Sequence, residues 1–111
     1  MYGVENSFNV RHRSRSRFVF TDERYRGMLK DLTDEQLMAD YQTGDEDAFA
    51  ILYERHSAKV YGFLRKKTST EALARDVFQA TFLKLHVTRD RYKPGLPFLP
   101  WLFTLCRNEL I

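Results

Sequence analysis

The stretch STEALARDVFQATFLKLHV, residues 69–87, decides the fold of this chain. In it Leu73, Ala74, Val77, Phe78, Thr81, Phe82 and Leu85 recur at three- and four-residue spacing, which lines them up along one side of a helix. A half-buried strand would need alternation at every second residue, and the stretch has none. Ser69 and Thr70 stand directly before it, where a hydroxyl accepts from backbone N–H groups that the first helical turn leaves without partners. The spacing predicts a helix from about Glu71 to Val87.

Upstream, the same period governs a second stretch. Phe49, Leu52, Tyr53, His56, Val60, Phe63 and Leu64 form an apolar stripe that runs to about Lys67. Asp45 stands where an N-cap belongs, and Glu46 and Asp47 suit the positive end of the helix dipole. Arg65, Lys66 and Lys67 have two readings, a charge-matched helix terminus or a basic surface. Thr43 and Gly44 break the chain before this helix. Further back, Thr33-Asp34-Glu35-Gln36 reads as a capping box, a hydroxyl at the N-cap and an amide three residues on, and predicts a short helix through about Tyr41.

Downstream, Pro94, Gly95 and Pro97 force a loop over roughly residues 88–97, because proline fixes φ and removes a donor while glycine opens otherwise forbidden angles. A fourth helix is predicted from near Phe98. Pro100 is tolerable in its first turn, and Trp101, Leu102, Leu105 and Cys106 supply its inner face. No alternating run of useful length appears. The predicted fold class is all-α, a compact bundle of about four helices over residues 33–111. Residues 1–32 show no sustained period, and RHRSRSR (residues 11–17) alternates Arg with Ser. They read as a flexible basic tail, either without function or touching nucleic acid nonspecifically.

With 111 residues, 43% apolar and 14% aromatic, the chain has material for one small domain with a modest core. Its single cysteine, Cys106, has no partner for a disulfide and fits a reducing compartment. No stretch approaches the roughly 18 uninterrupted apolar residues of a membrane span, and the N-terminus lacks the apolar core of a signal peptide. The expectation is a cytoplasmic protein with no membrane contact. The formal net charge of +3 hides a segregation: residues 1–32 carry +3, residues 33–57 carry −6, and residues 58–111 carry +6. An acidic front and a basic back suggest two unlike surfaces, the basic one suited to a polyanion.

Chemistry is hard to place. Asp45 and Asp47 already have a capping explanation, and no apolar pocket is evident that would raise a carboxylate pKa, so the chain does not read as an enzyme. His12, His56 and His86 show no metal-ligand spacing, and the five glycines are scattered, so neither a metal nor a phosphate-bearing cofactor is expected. The informative stretch is RDRYKPGLPFLPWLFTLCRN, residues 89–108, in which basic residues interleave with aromatics across a loop that feeds a helix. Two readings stay open. Cations neutralising phosphates beside aromatic faces stacking on bases would suit single-stranded DNA, whereas a small helical core would need the same aromatics with solvated arginines around them.

ALARDVFQATFLKLH (residues 72–86) followed by FLPWLFTLCRN (residues 98–108) resembles region 2 of the extracytoplasmic-function (ECF) sigma factors, within the housekeeping sigma superfamily. In that family the first segment typically reads AEDLVQETF and the second F-x-x-W-L-F/Y-x-I-A-x-N. GDEDAFAILYERH (residues 44–56) is similar to the family's G-D-x-x-A-F-x-x-L-Y-x-R-Y. The likeness covers about residues 34–111. Two positions depart from the pattern: Arg75 and Ala80 stand where the first motif usually has acids, so this surface is less acidic than the family's.

The resemblance implies a transcription initiation factor domain that binds core RNA polymerase and recognises and melts the promoter −10 element. It places Asp76, Gln79 and Phe82 against the clamp helices of the polymerase β′ subunit. It implies that the 88–97 loop captures a base flipped from the −10 non-template strand, with Arg89, Arg91, Tyr92, Lys93, Leu96 and Pro97 as candidates. Thr104, Arg107 and Asn108 on the following helix would face the upstream part of that element, while Trp101 is assigned mainly to the core. An anti-sigma factor is a further expected partner. The helix-turn-helix of region 4 is absent from these residues, and the chain is expected to be truncated in the last helix of region 2. The alternative reading is a truncated or sequestered sigma-like interaction domain that binds polymerase or an anti-sigma factor without initiating.

Overall fold

The computed structural model describes residues 22–111, and the Arg/Ser run at residues 11–17 lies outside them. Among the described residues there are five α-helices, one 3-10 turn and no strand. The helices are α1 (Asp22–Leu29), α2 (Asp34–Gln42), α3 (Glu46–Lys67), α4 (Glu71–Val87) and α5 (Phe98–Glu109), with the turn over Arg89–Arg91. None is long and apolar enough to cross a membrane. The chain divides into two units, one ending at Leu52 and the other running from Tyr53 to Ile111.

In the first unit, helix α1 was not foreseen, because the sequence expectation read all of residues 1–32 as tail. Among the described side chains of α1 only Tyr25 and Leu29, four residues apart, are buried. One such pair is too short a stripe to register as a period. The expected capping box of α2 is complete: the Gln36 N–H donates to the Thr33 hydroxyl at 3.1 Å, and the Thr33 N–H donates to the Gln36 side chain at 2.8 Å. Leu37, Met38 and Tyr41 form its buried face. At the other end the Gly44 N–H reaches Tyr41 O and the Asp45 N–H reaches Asp40 O, the double bond of a Schellman termination. Gly44 sits at φ +105°, a backbone angle that glycine adopts without cost.

Asp45 then starts α3, as expected. One carboxylate oxygen accepts the Asp47 N–H at 3.0 Å, and the other accepts the Tyr25 hydroxyl, so one buried side chain caps α3 and anchors α1. Ala48, Ile51 and Leu52 are buried, and the Tyr41 and Phe49 rings lie 5.1 Å apart.

In the second unit, His56, Val60 and Leu64 on α3 are buried while Tyr53 is 40% exposed, so the apolar stripe is narrower than its spacing predicted. Thr70 caps α4 by accepting the Leu73 N–H at 3.1 Å. Ala74, Val77, Thr81, Phe82 and Leu85 face inward, but Leu73, also read as inward, is exposed. Helix α5 packs on α4 and buries Phe98, Leu102 and Cys106. Full burial of each large side chain contributes roughly 1.5–3 kcal/mol. Burial pushes the Cys106 thiol pKa up, opposed by a hydrogen bond with Thr81 and the nearby charge of Arg107.

Candidate functional site

Between α4 and α5 the loop is built rather than loose. The Lys84 carbonyl accepts both the Thr88 N–H at 2.9 Å and the Thr88 hydroxyl at 2.6 Å, and the Arg89 guanidinium donates to His86 O at 2.7 Å, so side chains add to the closure of the α4 C-terminus. After the 3-10 turn, Leu96 N–H donates to Lys93 O at 3.1 Å across Pro94 and Gly95. Gly95 has φ +93°, so Pro and Gly occupy the two central positions that a type II turn prefers. The Tyr92 hydroxyl donates to the Leu96 carbonyl and ties together the two sides of the chain that flank this turn.

Of the predicted loop residues, Arg91, Lys93, Leu96 and Pro97 are exposed, Arg89 is half-buried, and Tyr92 is buried. The Tyr92 ring packs edge-on against Trp101 at 5.1 Å and against Phe98 at 6.3 Å, and His56 stacks on Phe98 at 5.6 Å. Tyr92 therefore supports the loop from beneath and is not available to stack on a base. Of the two readings of residues 89–108, the core one accounts for Tyr92 and Phe98, which are buried, while Arg91, Lys93, Leu96 and Pro97 are left at the surface.

On α5, Thr104, Arg107 and Asn108 share one exposed face, as three- and four-residue spacing requires. The Thr104 hydroxyl donates to Pro100 O at 2.9 Å and accepts from Arg107 at 3.4 Å, which holds the guanidinium along the helix. Arg91 and Asn108 meet at a cavity of about 230 Å³ lined also by Lys84, Thr88, Trp101, Leu105 and Glu109. Lys84 and Glu109 pair there at 3.9 Å. Neither was a sequence candidate, since residues 25 positions apart on different helices carry no linear signal of their meeting.

On α4, Asp76 and Gln79 are exposed, but Phe82 is 6% exposed and packs against Tyr53 at 5.0 Å and Phe78 at 5.1 Å. Steps of three residues turn about −60° around a helix, so two of them carry Phe82 off the surface that Asp76 faces. Beside Gln79 lies a cleft of about 450 Å³ lined by Tyr53, Ser57, Ala58, Tyr61, Glu71, Arg75 and Phe78. The motif-breaking Arg75 pairs with Glu71 at 3.6 Å on its rim, with both side chains largely solvated.

The Sigma-70 region 2 family matches residues 52–111. The chain is 45% identical over 71 residues to the RNA polymerase sigma factor CarQ of Myxococcus xanthus, covering 64% of this chain and 41% of that protein. It is 32% identical over 81 residues to the ECF RNA polymerase sigma-E factor of Haemophilus influenzae, covering 73% and 42%. Against the ECF RNA polymerase sigma factor BldN of Streptomyces coelicolor it is 33% identical over 75 residues, covering 66% and 28%. The chain spans about two fifths of the length of the first two of these relatives. No solved structure matches it at a significant level.

Proposed function

The chain belongs to the sigma-70 region 2 family, in the company of ECF sigma factors, and from that membership we propose that it serves transcription initiation by joining core RNA polymerase to promoter DNA. The polymerase face is the exposed side of α4 at Asp76 and Gln79, with Phe82 setting the position of that face from below. The DNA face runs from Arg91, Lys93, Leu96 and Pro97 to Thr104, Arg107 and Asn108, with Arg89 and Tyr92 holding the loop in place. It takes the −10 non-template strand, where cations neutralise phosphates and the stiff loop meets an extruded base. Such work belongs in the cytoplasm and needs no catalytic group of the chain's own.

The observation that carries this reading is the exposure of Arg91, Lys93, Arg107 and Asn108 around one rigid loop over an aromatic floor. Phosphate contacts release counterions, so affinity for a single strand should fall steeply as salt rises from low to physiological strength. An affinity independent of salt would dismiss the DNA face.

The cleft at Tyr53, Tyr61 and Phe78 favours a second reading. An anti-sigma factor inserting apolar side chains there would cover Gln79 and hold the chain away from polymerase. Competition between such a partner and core polymerase for the chain tests it.

A further inference from the structure

Leu73, Leu83 and Val87 are 45%, 63% and 66% exposed on α4, although all three are large and apolar. With Asp76 and Ala80 they stand at steps of three, four, three and four residues, the spacing of a coiled-coil seam. At about 100° per residue the five fall within a sector of about 80°, a stripe turned away from the buried Ala74, Val77, Thr81 and Leu85. Lys84, also exposed, borders the stripe. Apolar residues exposed singly are ordinary, but a row of them on one face marks a contact surface.

The stripe keeps its pattern when α4 is turned end for end. Ala80 is the centre, Asp76 and Lys84 lie four residues to either side, and Leu73 and Val87 lie seven. A second α4 laid antiparallel across Ala80 sets Asp76 of each copy opposite Lys84 of the other, and Leu73 opposite Val87. The charged pairs then stand about 6 Å from the centre along the helix, so like charges of the two copies are about 12 Å apart. A single methyl group at the crossing lets the helix axes approach to the short end of their usual range of roughly 8–10 Å.

We propose that a second copy of this chain docks on this stripe, making a two-fold antiparallel dimer through α4. A symmetric interface requires a patch that complements itself, and the order apolar, acid, small, base, apolar does so. An unlike partner would need no such symmetry. Lys84 also lies 3.9 Å from Glu109 with its side chain 48% exposed, a long and solvated contact that a turn of the lysine stem can share with Asp76 of the other copy. Six side chains on one helix are fewer than the roughly 20–30 residues of a standard interface, so the dimer is weak and reversible. It covers Asp76, and a chain paired in this way cannot offer that residue to polymerase. This consequence rests on the polymerase reading, whereas the dimer itself does not.

Sedimentation equilibrium of the 111-residue chain from about 5 to about 500 µM should show the average mass rising from one chain toward two. Asp76→Lys sets lysine against lysine and Lys84→Glu sets acid against acid, so each alone should weaken association about tenfold. Mixing the two variants restores opposite charges at both pairs, and the mixture should dimerise as the wild type does. Circular dichroism checks that α4 is intact in each variant. A wild-type chain that stays single across the range would overturn the proposal. Association that survives either reversal, or that the mixture of folded variants fails to restore, would overturn it as well by placing the contact on another surface. No arm contains polymerase, so failure of the dimer and failure of the polymerase reading are separate results.

Discussion

Tyr92 donates its hydroxyl to the carbonyl oxygen of Leu96, and the same ring packs edge-on against Trp101. One side chain thus closes the loop and fastens it to α5. Tyr92→Phe should keep the ring contacts and lose the clasp, at about 1 kcal/mol of stability. Urea denaturation measures that loss. Binding of single-stranded DNA should weaken as well, because a looser loop has more entropy to lose on ordering. A variant with weakened stability and unchanged DNA affinity would make the clasp purely structural.

Asp45 is the corresponding pin of the first unit, since its two carboxylate oxygens serve the Asp47 N–H and the Tyr25 hydroxyl. Tyr25→Phe removes one bond and should cost about 1 kcal/mol. Asp45→Ala removes the helix cap too, so its cost should be about 2 kcal/mol. In the double variant the Tyr25 contribution should vanish, because its partner has already gone. Thermal melts of the four chains test this, and strictly additive losses would contradict a shared carboxylate.

The main helices were legible in the sequence because caps and period agreed, as at Thr33 with Gln36 and at Thr70 ahead of α4. Helix α1 was not, since its order comes from Tyr25 reaching Asp45 twenty residues on. Exposure was the weaker inference. Spacing puts Phe82 on a helix and Tyr92 in a loop, but it cannot say that neighbouring rings bury both. The Lys84–Glu109 pair was illegible for the opposite reason, being made only when α5 folds back on α4.

Cys106 gives the stability of the chain a pH dependence of known sign. Burial raises its pKa in the folded state, so as pH rises the unfolded chain loses the thiol proton first. The folded state then binds more protons than the unfolded one, and stability falls as pH climbs past the ordinary thiol value of about 8.5. Urea titrations from about pH 7 to about pH 10 should show this decline in the wild type and a shallower one in Cys106→Ala. The alanine chain should be less stable at neutral pH, because it leaves space beside Thr81. Equal slopes in the two chains would exclude the thiol as the source.

Arg75 and Asp76 are neighbours on α4 whose substitution should move polymerase binding in opposite directions. Asp76 keeps an acid of the family motif, while Arg75 replaces one and pairs with Glu71 at 3.6 Å. That pair is largely solvated, with side-chain exposures of 58% and 67%, so losing it should cost the fold little. Arg75→Glu sets two acids four residues apart, which destabilises a helix by only about 0.2–0.5 kcal/mol. Any larger change in binding therefore reports on the partner. If core polymerase reads an acidic surface here, Arg75→Glu should tighten the complex and Asp76→Lys should loosen it. Both effects should shrink at high salt, as expected for exposed charges at a rim. The measurement is titration of labelled core polymerase with each chain, alongside circular dichroism to confirm equal helix content. Affinities that stay equal in all three chains would remove this face of α4 from the polymerase contact, and the cleft at Tyr53, Tyr61 and Phe78 would become the surface to probe next.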